Sequence, residues 1–240
     1  MASKKDPESV AEEFAAQMRK TFGQELQAVL LVGSAARGDF IPGKSDINTL
    51  VILTLEGMNW LEKAYQILQT FRRKGLAVPH FMTPDAVQQA LDSYPLEFLD
   101  FKSFHKVILG PDILADVSVP PQALRLQIER ELRGKLFLLR QVFASEAGHS
   151  KQLEAVMKRS IAVFTAVFQG MLELGKRPIP ADRPTLFREG TALAGVSDRV
   201  FQQILQVRGG KGAKNQFVIF KELLKEVGDL VLWIDSYQVT

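Results

Sequence analysis

The sequence contains no cysteine, which excludes disulfides, thiolate metal sites and a cysteine nucleophile. It also lacks an uninterrupted apolar run long enough to cross a bilayer. Candidates such as Leu26 to Val32 and Leu50 to Leu53 are only strand-sized. The opening residues Met1-Ala-Ser-Lys-Lys-Asp-Pro carry none of the apolar stretch that a secretion signal needs. These absences lead us to expect a cytoplasmic protein without a membrane partner. Neither sign of charge dominates: 30 Lys and Arg stand against 27 Asp and Glu, a formal charge of +3. A balance this mild suits an anionic ligand such as a nucleotide and does not call for nucleic acid. Internal repeats and low-complexity tracts are absent too.

What is present is the apolar content of a globular chain, 46% hydrophobic over 240 residues, enough for one large domain or two ordinary ones. Pro7 to Phe22 reads as an amphipathic helix with Val10, Phe14 and Met18 on one face and Glu8, Glu12 and Glu13 near its start. Leu26 to Val32 reads as a buried strand ending at Gly33. A polar segment, Gly33 to Ser45, leads to a second strand, Ile47 to Thr54. Asn59 to Arg73 reads as a helix and Ala77 to Met82 as a strand. Thr83-Pro84-Asp85 caps a short helix, Ala86 to Leu91. Leu96 to Phe101 fits a strand or a helix, and Lys106 to Leu109 a strand.

Beyond Pro120-Pro121 the periodicity is helical. Helices are expected over Gln122 to Ala147, Gln152 to Gly175, Pro184 to Ala194, Arg199 to Val207 and Gln216 to Ile234. The boundary is placed near residue 118, giving an α/β (α+β) domain with a mixed sheet over 1–118 and an all-α helical bundle over 119–240.

The most informative stretch runs from Leu30 to Leu53: Leu-Leu-Val-Gly-Ser-Ala-Ala-Arg-Gly-Asp-Phe-Ile-Pro-Gly-Lys-Ser-Asp-Ile-Asn-Thr-Leu-Val-Ile-Leu. A strand runs straight into Gly33-Ser34, where the missing side chain lets backbone amides approach a bound phosphate closely. Asp46 lies at the mouth of the next strand, and alternation puts Asp46 and Asn48 on the same side. Two same-side carboxylates beside a phosphate cradle would hold Mg²⁺ for in-line attack of a hydroxyl on phosphorus.

Gly33-Ser34, Arg37-Gly38-Asp39 and Ser45-Asp46, at this spacing between two apolar strands, resemble the signature of the nucleotidyltransferase superfamily. Its members include aminoglycoside adenylyltransferases and polymerase-β-like enzymes. The resemblance covers roughly the first half of the chain. It implies a nucleoside triphosphate as substrate and Mg²⁺ as cofactor, with transfer of a nucleoside monophosphate to a hydroxyl acceptor. Gly33, Ser34 and Arg37 would contact phosphate, and Asp46 and Asn48 would form the metal and catalytic pair. The family's triplet is acid–apolar–acid, so Asn48 stands where a second acid is expected. Losing that charge beside a divalent ion costs on the order of a few kcal/mol. A third acid is expected on a later strand, where Val78-Pro79-His80-Phe81-Met82 offers only His80, with Glu97 and Asp100 as rivals. The alternative is therefore a catalytically degenerate nucleotide-binding or interaction protein, a pseudoenzyme of the same fold.

Other residues carry plainer readings. Arg37 either touches a triphosphate or sits solvated, and Asp39 is a turn residue. His105 and His149 have no metal-ligand spacing around them. Arg125, Arg130, Arg133, Lys135 and Arg140 line one helix, but Glu129–Arg133 and Glu131–Lys135 stand four apart, as surface ion pairs do. The Arg208 to Lys214 loop is basic but lacks P-loop spacing. Both features leave RNA as a remote partner.

Overall fold

The computed structural model describes residues 6–146, 149–208 and 215–239. These divide into two compact units, residues 6–93 with 100–118, and residues 94–99 with the described part of 119–239. The loop after Arg208, singled out for its lysines, lies outside the described residues.

The first unit opens with α1 (Pro7–Phe22), where the Asp6 carboxylate accepts from the Ser9 amide and Pro7 stands in the first turn. Its apolar face is completely covered: Val10, Phe14 and Met18 are each 0% exposed. β1 (Leu26–Val32) follows, then the one-turn helix α2 (Ser34–Arg37) and β2 (Asn48–Leu53). The single helix expected over Asn59 to Arg73 is broken in two. The Thr54 hydroxyl accepts from the Gly57 amide and starts α3 (Leu55–Asn59) early. Trp60 then leaves helical space, and after a 3-10 turn α4 covers Tyr65–Arg72.

β3 (His80–Met82) is shorter than expected. Pro79 has no amide to donate, and Ala77 already donates its N–H to the Ile47 carbonyl. α5 (Pro84–Gln89) is capped by Thr83 as the sequence suggests. The ambiguous segment resolves to a helix, α6 (Pro95–Ser103). Pro95 suits a first helical position, and none of residues 96–101 is β-branched. β4 (His105–Leu109) completes a four-stranded mixed sheet of order β3-β2-β1-β4. β1 is antiparallel to both neighbours, and β2 and β3 are parallel.

Residues paired across strands share a face. Val29, Leu31, Ile47, Val51, Leu53 and Phe81 pack with α1 and α4 in one core. Leu30, Val32, Asn48, Leu50, His80 and His105 therefore occupy the opposite face. At the far end of β1, a Cβ on Gly110 would fall 2.1 Å from the Gln27 carbonyl oxygen, so only glycine fits there.

The second unit is helical: α7 (Pro121–Glu146), α8 (Ser150–Leu174), α9 (Arg183–Leu193), α10 (Arg199–Arg208) and α11 (Gln216–Ser236), together with Leu96 and Leu99 from the start of α6. Phe164 and Phe168 of α8 meet Phe201, and Phe168 also meets Phe187, in edge-to-face pairs with centroids 5.1–5.2 Å apart. By length and composition alone, Lys151–Leu174 would reach across a bilayer, although polar residues such as Glu154, Lys158 and Gln169 interrupt it. Yet 61% of its most apolar stretch is buried in the protein, so its apolar surface is spent on neighbouring helices.

Candidate functional site

The topology gathers strand ends at one edge of the sheet. β1 finishes there at Val32, opposite both Asn48 and His105, where β2 and β4 begin. The chain then turns at Gly33 with φ 70° and ψ −145°, a backbone conformation that belongs to glycine. α2 occupies one turn, with the Arg37 amide donating to the Gly33 carbonyl at 2.9 Å. It ends at Gly38 in the left-handed region, and the Asp39 amide returns to the Ser34 carbonyl at 3.1 Å, which makes Asp39 part of the turn.

Asn48 is brought directly against this turn. A Cβ on Gly33 would lie 3.2 Å from Asn48 Nδ2. Gly33 and Asn48, fifteen positions apart, are thus in side-by-side contact. Asp46 is exposed and lines a groove of about 650 Å³ formed with Tyr65, Leu68, Gln69, Arg72, Gly75, Leu76, Ala77 and Val78. His80 sits on the same face as Asn48, paired with Leu50 one step further along the strands, and its ring lies 5.4 Å from that of Phe101.

Arg37 is not solvated. Its side chain is only 5% exposed; it forms an ion pair with Asp100 and lies over the Phe104 ring at 4.9 Å. Its Nε is buried without a hydrogen-bond partner. Asp100, one of the rival third acids, is thereby committed to Arg37. Glu97, the other rival, belongs to the second unit, where Gln127 Nε2 donates to its carboxylate at 2.8 Å.

One neighbour of the site carries no sequence signal beyond its residue type. His105 places Nδ1 2.9 Å from the Phe101 carbonyl oxygen and Nε2 3.1 Å from both carboxylate oxygens of Asp112. Partial burial pushes the Asp112 carboxyl upward. The hydrogen bond from His105 and the amide of Leu114 outweigh it and hold the group below the usual aspartate value. The contact forms because the chain reverses at Gly110, after β4.

As a divalent-ion site the donor set is poor. Asn48 offers a neutral amide at the Gly33 turn, and Asp46 a single carboxylate in the groove along α4. Among the described residues no group of three His, Asp or Glu side chains gathers to hold a metal. Mg²⁺ prefers carboxylate and water oxygens in near-octahedral array, and these residues do not fit it. The basic helix face is largely spent as well. Arg125 donates to the carbonyls of Asp235 and Tyr237, and Arg133 pairs with Glu129 and Asp235. Lys135 is half-buried, and desolvation pulls its ammonium below the usual lysine value against the attraction of Glu131.

No protein-family model matches the sequence, and no curated protein matches it either. Among solved structures the chain is similar to a spectinomycin adenyltransferase from Enterococcus faecialis, solved with ATP and spectinomycin. The TM-score is 0.51 and the identity 12%, and the match covers 90% of this chain and 98% of that one. At that identity the likeness is one of fold: an N-terminal nucleotidyltransferase-like mixed sheet followed by a helical region.

Proposed function

We propose that this chain is a nucleotide-binding protein of nucleotidyltransferase fold that keeps the phosphate cradle and has lost metal-dependent transfer. The observation that carries the reading is the contact between Asn48 and Gly33. It sets a neutral amide, an N–H donor as well as an acceptor, beside the turn where the family resemblance implies a metal-binding acid. A phosphate oxygen accepts from such an amide, from the backbone amides of the turn and from the Ser34 hydroxyl. A divalent cation gains only an oxygen dipole there. Asp46 alone does not make up the missing charge. The ligand class follows from the resemblance and from the fold neighbour, which was solved with ATP.

The groove beside Asp46 favours a second reading, in which transfer survives and a small hydroxyl acceptor occupies that space. At about 650 Å³ it falls within the usual range for small-molecule sites. The experiment that separates the readings is a melting and calorimetric titration with ATP in EDTA and in Mg²⁺, beside a pyrophosphate-release assay over a panel of hydroxyl acceptors. Stabilisation by ATP that needs no metal, with no pyrophosphate release, is the expected result. Metal-dependent release by the wild type overturns the degenerate reading in favour of transfer. If no nucleotide shifts melting, both readings go.

A further inference from the structure

The last turn of α6 touches three elements of the first unit at the site edge. Asp100 holds the guanidinium of Arg37, Phe104 lies beneath that guanidinium, and Phe101 meets the His80 ring while its carbonyl faces His105. Arg37 is one helical turn from Gly33. Its charge is therefore present at the cradle and already answered by an anion from the same chain. A guanidinium carries five N–H donors in a fixed fork, a shape that matches carboxylate and phosphate alike. The Nε of Arg37 has no acceptor although it is fully covered. The guanidinium thus carries more donors than Asp100 satisfies.

We infer that the Asp100 carboxylate is an internal stand-in for a ligand phosphate, and that binding of a polyphosphate exchanges one anion for the other on Arg37. The inference rests on the nucleotide reading above and adds its gate. Apart from the ligand, the charge on Arg37 is neutralised by Asp100 and shielded by Phe104. With a polyphosphate present, the fork turns to phosphate oxygens, and the last turn of α6 loses the ion pair that anchors it. The exchange needs no metal. It also makes the end of α6 report on whether the cradle is filled.

The test is calorimetric titration of the full chain with inorganic tripolyphosphate and with ATP, in EDTA at constant ionic strength. The variants are Asp100→Asn, Arg37→Gln and the two combined. Asp100→Asn is expected to bind tripolyphosphate about tenfold more tightly, while its melting temperature falls because a buried guanidinium has lost its counter-charge. Arg37→Gln weakens binding, and in its background Asp100→Asn brings no gain. A purely structural ion pair would lower affinity and stability together, so a folded Asp100→Asn protein that binds no more tightly than wild type overturns the exchange. Should that variant not fold, hydrogen exchange on the wild type decides. Tripolyphosphate should slow exchange over 33–38 and speed it over 101–104, where the Phe104 amide donates to the Asp100 carbonyl; protection of both segments refutes the inference. If tripolyphosphate and ATP bind no folded form, the nucleotide reading itself has failed. If they bind but Asp100 has no effect, only the exchange has.

Discussion

Replacing Gly33 with alanine puts the contact between turn and amide under direct strain. The backbone at Gly33 has φ 70° and ψ −145°, a region essentially closed to L side chains, and holding a residue there costs about 1–3 kcal/mol. The new Cβ would also sit 3.2 Å from Asn48 Nδ2. That atom ends a short side chain, so a shift of a few tenths of an ångström relieves it, at about 0.5–1.5 kcal/mol if the rotamer is distorted. Against this, alanine restricts the unfolded chain and returns about 0.4–1 kcal/mol. Backbone strain is the larger contribution, and a net loss of about 1–3 kcal/mol follows. For a chain of this size that lowers the melting temperature by about 2–12 °C.

The assay is thermal melting followed by circular dichroism on Gly33→Ala, Asn48→Ala and the double variant. Asn48→Ala removes the crowding and leaves φ untouched. Because the two residues touch, the double variant should regain only the crowding share, about 0.5–1.5 kcal/mol, and keep the backbone cost. Full recovery of stability in the double variant would show that crowding, not backbone conformation, sets the cost. A single variant that melts with the wild type would refute the argument outright.

Four further outcomes are expected. Asn48→Asp sets a carboxylate beside the Gly33 turn, and Mg²⁺ should then stabilise the ATP complex where it does not in the wild type; equal shifts with and without Mg²⁺ in the variant would count against the charge argument. Gly190→Ala drives a Cβ to 2.7 Å from Phe168, an overpacking cost of about 1–3 kcal/mol set against about 1 kcal/mol of helix propensity. It should lower the urea midpoint, and an unchanged or raised midpoint would show that Phe168 yields freely. The backbone amide and the hydroxyl of Thr185 hold Asp182 below the usual aspartate value at the start of α9. Its contribution is complete above the unfolded value and disappears as pH falls through the lower folded one, so Asp182→Asn should flatten the acid limb of the stability profile. An acid limb identical to wild type would remove Asp182 from the account. Asp112, also held low, follows the same sign: His105→Gln should shift its contribution's loss to higher pH, seen by carboxyl chemical shifts in a pH titration.

Much of the framework was legible because it is written in local pattern. The four-residue spacing of Val10, Phe14 and Met18 marks α1, and the apolar run before Gly33 marks β1. The break at Trp60 was not legible, since Trp60, Ala64 and Ile67 fit a helical face whether or not the helix is continuous. What starts α3 early is the single hydroxyl of Thr54. The segment Leu96 to Phe101 was ambiguous because its apolar residues satisfy both periods, and Pro95 together with the Gln127 side chain, which accepts from the Leu96 amide at 2.8 Å, tips it to helix. At the site, the departure at Asn48 was visible from spacing. The pairing of Arg37 with Asp100 was not, for the two are 63 residues apart and no local pattern links the end of α2 to an aspartate in α6.

Because β1 runs opposite to both flanking strands, the place where it stops is also the place where β2, β3 and β4 set out. Segments far apart in the chain therefore arrive at the same rim, while the turns around Glu25, Thr54 and Gly110 collect at the other end. The sheet behaves like a comb with all its working teeth on one side. Loop insertions at the back should cost stability only, whereas the same insertions between residues 33 and 46, or just ahead of His80 or His105, would rebuild the rim itself.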